Sequence, residues 1–159
     1  MPLLNVDNVI VVTDAHREEE LCATDDPVRA FNGDDLSIVS AAEISAFYSI
    51  VINADFGNTL HSLFAPTCGD EDGHVTVRLR PPVVERLAAL TDSDVATIAR
   101  RKEDVASHLA QDFGTHYGNA FRALSESEVG DLLRLLKTRC QTALDAGLSV
   151  FLWNDGAGP

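Results

Sequence analysis

The spacing of apolar positions changes several times along the chain, and each change marks an element. Residues 8–13 (NVIVVT) are a β-branched block bounded by polar residues, which predicts a strand buried on both faces. Over 14–35 the apolar positions thin out, and Asp25-Asp26-Pro27 and Asn32-Gly33 are turn signals. An exposed, irregular acidic segment is expected there, with room for a short helix over 18–23. Ser40 and Glu43 have the spacing of a capping box, and Ile44, Phe47, Tyr48, Val51 and Ile52 continue one helical face over 41–53. The β-rich stretch SIVIN leaves a strand open as the alternative. Residues 55–60 read as a turn.

The second half of the pattern is more regular. Residues 74–80 alternate, with His74, Thr76, Arg78 and Arg80 on one face and Val75, Val77 and Leu79 on the other, the signature of a half-buried strand. Pro81-Pro82 ends it and suits the first turn of a short helix reaching Leu90. Thr91 with Asp94 opens a long helix over 92–112, on which Val95, Ile98, Ala99, Val105, Ala106 and Leu109 share a face. GTHYG at 114–118 breaks it. Ser125 with Glu128 starts the clearest helix, carrying Val129, Leu132, Leu133, Leu136, Cys140 and Ala143, and Gly147 stands where a left-handed residue would end it. LSVFLW at 148–153 is apolar on both faces and suits a central strand, while the tail at 154–159 is expected to fray. This order predicts one helix-rich α+β domain over 1–159, with a small sheet of three to four strands.

Composition narrows the class. A length of 159 residues suffices for one real core. No stretch approaches the ~20 apolar residues that span a bilayer, and no basic head precedes the apolar N-terminal run, so the reading is a cytosolic protein with no membrane partner. Cys22, Cys68 and Cys140 are too few and too widely spaced to suggest a disulfide framework, and reduced thiols are expected.

Charge is the unusual property. The net charge is −13, and residues 1–76 hold 14 acids against Arg17 and Arg29, whereas the remainder balances 11 acids against 10 bases. Such a field repels nucleic acid and attracts cations. Arg100-Arg101-Lys102 is the one basic cluster, and it faces Glu103 and Asp104. Net charge also promotes solubility, which is the plainer account of the acids.

Candidate chemistry is sparse. No Gly-x-Ser-x-Gly elbow and no phosphate-binding glycine motif occurs. Cys68 with His74, and His108 with Asp112, are the nearest approach to metal ligands, and neither forms a known set. The reading therefore assigns no catalytic residue, no metal and no cofactor. It places partner binding on Glu18, Glu19, Glu20, Asp25, Asp26, Asp34, Asp35, Asp70, Glu71 and Asp72, as a docking surface for a basic protein such as a toxin. Two alternatives stand beside it: an enzyme using carboxylates or His61, His108 and His116, and a self-assembling accessory protein whose apolar patch includes Phe113, Tyr117 and Phe121.

The stretches RLRPPVVERLAALTDSDVATIARR and ESEVGDLLRLLKTRCQTALDAGLSVFLWND resemble small uncharacterised bacterial single-domain proteins, in which a Pro-capped, an Ala-rich and a Leu-rich helix precede a terminal strand with Leu-Trp. The resemblance covers about half the chain and implies a bacterial origin. It carries no activity and no functional residue.

Overall fold

The computed structural model describes residues 8–57, 60–69 and 75–154. Among these residues five strands, β1 (Asn8–Thr13), β2 (Asp34–Asp35), β3 (Phe64–Gly69), β4 (Val75–Leu79) and β5 (Ser149–Asn154), form one antiparallel sheet ordered β2-β1-β5-β4-β3. The two blocks without polar alternation become neighbours: β1 pairs with β5 from Asn8↔Asn154 to Thr13↔Ser149. Strands buried on both faces belong inside a sheet, and β5 lies between β1 and β4.

One face of the sheet carries Ile10, Leu79, Val150 and Leu152 and supports the larger core. Onto it fold α3 (Ala41–Val51), α5 (Pro81–Ala88), α6 (Asp92–Arg100), α7 (Lys102–Asp112), α8 (Thr115–Arg122) and α9 (Glu126–Ala146). The opposite face is smaller. Val9, Val11, Phe151 and Trp153 meet Leu21 and Phe31, the buried residues of α1 (Glu18–Ala23) and α2 (Pro27–Phe31). A further short helix, α4 (Leu60–Leu63), leads into β3.

Local signals explain most boundaries. The capping boxes at Ser40, Thr91 and Ser125 all form, and α9 ends on Gly147 at φ 67°. The SIVIN ambiguity resolves as helix: α3 is buried on nearly every side, which hides the polar face a surface helix would show.

Several expectations are corrected. The fold class is α+β, but the sheet has five strands rather than three or four. The additional pairing comes from β2, only two residues long, and from β3, whose FAPTCG holds a proline and a register shift between Pro66 and Cys68. The expected helix over 92–112 is two, because Arg101 leaves helical geometry at φ −91°, ψ 19°. GTHYG does break the chain at Gly114, yet a new helix, α8, starts at once. Residues 14–35 are largely ordered as a 3-10 turn, α1, α2 and β2. Thr76, expected on a solvated row, is buried beside Trp153 on the smaller face, and Arg78 is half-buried. Cys22 and Cys68 are bonded, with Cα atoms 6.1 Å apart, instead of reduced. The tail beyond Asn154 lies outside the described residues. Among the described residues, no helix is long and apolar enough to cross a membrane.

Candidate functional site: an acidic shelf

Asp14 accepts from the His16 N–H at 3.0 Å and starts the 3-10 turn that feeds α1. Glu18, Glu19 and Glu20 fill the first turn of α1, where the helix dipole favours negative charge. Leu21 is the anchor, fully buried under the sheet's smaller face. Asp26 caps α2 by accepting from the Arg29 N–H at 3.2 Å, and Pro27 occupies its first turn. Asn32, left-handed at φ 52°, ends α2. Gly33 then passes so close to β1 that a Cβ there would lie 2.5 Å from Val9 Cγ1. The chain can therefore pair Asp34 and Asp35 with Ile10 and Val9.

Register divides those two aspartates. Asp35 shares the face of Val9, and its carboxylate accepts from the Ser37 N–H at 2.7 Å. Asp34 shares the face of Ile10 and meets Arg139 of α9, Nε to Oδ2 3.1 Å. That contact lies off the hydrogen-bonding direction, while another guanidinium nitrogen of Arg139 donates to the Asn32 carbonyl at 3.2 Å. Arg17 ties the two helices together. Its guanidinium lies 4.3 Å from the centre of the Phe31 ring and donates to Glu20 at 2.9 Å. That hydrogen bond holds the Glu20 carboxyl below its ordinary range.

The structure thus gathers Glu18, Glu19 and Glu20 on α1, Asp25 and Asp26 at the junction to α2 and Asp35 on the edge strand β2 around one sheet face, and turns Asp34 toward α9. Asp70, Glu71 and Asp72 lie outside the described residues. Glu20 and Asp34 are paired with Arg17 and Arg139, and the Asp26 and Asp35 carboxylates accept from backbone N–H groups. Glu18, Glu19 and Asp25 have no counter-charge within hydrogen-bonding or ion-pair reach among the described residues. Arg29 is the shelf's one arginine outside a pair. Sequence reasoning marked these acids but missed Arg17, Phe31 and Arg139, which fix them. Arg17 meets Glu20 at local i,i+3 spacing, but Phe31 lies 14 positions from Arg17 and Arg139 lies 105 from Asp34, beyond what local spacing reveals.

No family model, curated protein or solved structure matches the chain.

The other candidate residues do not converge. His108 is buried, stacked 4.9 Å from the Phe56 ring and 3.4 Å from Asp112, whereas His116 is exposed beside Tyr117. The His61 side chain and all of His74 lie outside the described residues. Cys140 is enclosed by the larger core, and burial pushes its thiol up to about 12, which keeps it protonated and unreactive. Phe121 is fully buried and so forms no surface patch. Phe113 and Tyr117 line a cleft of about 250 Å³ with Ser40, Asn8 and Asn154. Glu43 is buried, and the contacts its carboxylate accepts from Ser40 belong to the helix cap.

Proposed function

We propose that the protein is a binding module that docks a basic protein on the α1–α2–β2 shelf, as an immunity or antitoxin protein covers and neutralises a basic toxin. What supports the reading is that Glu18, Glu19 and Asp25 have no cation within hydrogen-bonding or ion-pair reach among the described residues. Glu18 and Glu19 stand on α1 and Asp25 in the bend before α2, and these helices are fixed from beneath by Leu21, Phe31 and the Arg17 bridge. Carboxylates held in place steer a cationic surface into register and lose little side-chain entropy on contact. The proposed compartment is the cytosol, where a Cys22–Cys68 bond would be transient and redox-responsive.

Comparative capture tests the proposal. Wild-type protein and a Glu18→Lys/Glu19→Lys/Asp25→Lys variant are immobilised side by side, exposed to bacterial lysate, and eluted from about 50 mM to about 500 mM salt, because screened charges release first. The expected result is a basic protein retained by the wild type, lost from the variant and released by salt. Identical retention on both would refute the docking face.

A further inference from the structure

We propose that the Cys22–Cys68 disulfide is a reducible latch, which a dithiol opens to release the acidic helix α1 from the sheet while the rest of the domain stays folded. Besides the disulfide, α1 is held by Leu21 against the sheet and by the solvent-exposed Arg17 bridge from Glu20 to the Phe31 ring, both non-covalent. A six-residue segment is too short to be helical alone. Arg17 at its N-cap makes no side-chain capping bond, and Leu21 is its one buried side chain. The disulfide is its covalent tie to β3, an edge strand on the far side of the sheet from β2. The larger core contains no residue of α1 or α2, so nothing in it is lost when the latch opens.

The bond is also reachable. Both cysteines are half-buried and open onto a groove of about 380 Å³ shared with Glu18, Glu19, Ala23 and Thr67. A thiolate of the dithiol attacks one cysteine sulfur, and the other cysteine leaves as a thiolate that takes up a proton. The reductant's second thiol then displaces the mixed disulfide. Two electrons and two protons pass to the protein, leaving Cys22 and Cys68 as thiols and the reductant as its own disulfide. Glu18 and Glu19 flank the approach, so anionic thiols are repelled and a reductant that is neutral or basic where it touches the groove is favoured. On the docking reading, the latch further decides whether Glu18 and Glu19 are presented in register. The latch itself is tested without any partner.

Hydrogen exchange of the aerated full chain, before and after dithiothreitol, provides the test. In the oxidised protein one cysteine is expected to alkylate after denaturation, and residues 18–23 should be protected. After reduction their amides should exchange at about free-chain rates while β1, β5 and α9 remain protected, and reoxidation should restore the first pattern. Reduction by cysteamine should outpace that by 2-mercaptoethanesulfonate about tenfold at low salt, each normalised to its rate on a small neutral disulfide, with the gap closing near 1 M salt. A Cys22→Ser/Cys68→Ser variant should match the reduced protein and ignore dithiothreitol. Three alkylatable cysteines in the aerated protein, unchanged exchange in residues 18–23, or loss of protection throughout the chain would each overturn the latch.

Discussion

Glu43 carries two physical demands on one carboxylate. As the third residue of α3 it accepts from the Ser40 N–H at 2.7 Å and from the Ser40 hydroxyl, yet it is 1% exposed. Burial raises its pKa, and the hydrogen bonds from Ser40 only partly offset that. A carboxyl whose folded pKa lies above its unfolded value contributes stability at pH below the unfolded value of about 4.3, and that contribution is lost as pH rises through the folded pKa. Glu43→Gln keeps an acceptor for the capping box and removes the titration. Urea unfolding at several pH values above 4.3 should therefore show a flatter decline for the variant than for the wild type, and parallel curves would contradict the burial argument. Gly118 makes a second residue-level case. A Cβ there would lie 2.6 Å from the Ala106 carbonyl oxygen and 2.6 Å from Ala110 Cβ, so Gly118→Ala should force α8 away from α7 and cost about 1–3 kcal/mol in chemical denaturation. The capping role of Glu43 was legible in its spacing from Ser40. Its burial was not, because that depends on how α3 is covered from several directions.

At the level of elements, legibility followed the range of the forces involved. The helix α9 was readable in full because its start, its stripe and its stop all lie within it: Ser125 and Glu128, the leucines, and Gly147. Ser125→Ala should cost about 0.5–2 kcal/mol by urea titration, since the Glu128 N–H loses its acceptor at 3.0 Å and α9 packs on both α5 and β1. The break at Arg101 was not readable. Val95, Ile98 and Ala99 and then Val105, Ala106 and Leu109 keep one helical phase across it. What opens the chain there comes from elsewhere: Lys102 donates to the Arg122 carbonyl at 2.7 Å, Glu103 binds Arg122, and Arg101 lies 5.5 Å over Phe56. The strand β3 was hidden for a similar reason, since its pairing with β4 outweighs a sequence of small residues and proline.

For the whole molecule, the −12 carried by residues 1–76 was plain from composition, and its arrangement was not. A turn, two short helices and a two-residue strand turn an acidic stretch into a shelf, because Leu21 and Phe31 find Val9, Val11, Phe151 and Trp153 on the sheet. The docking reading rests on that shelf. It is tested most directly by titrating the basic protein retained in comparative capture into the wild type and into the Glu18→Lys/Glu19→Lys/Asp25→Lys variant, at low and at physiological salt. The expected result is at least about a tenfold weaker Kd for the variant at low salt, with the difference shrinking as salt rises and both proteins equally folded by circular dichroism. Equal affinities for the two proteins at low salt would contradict the claim that this face binds a partner.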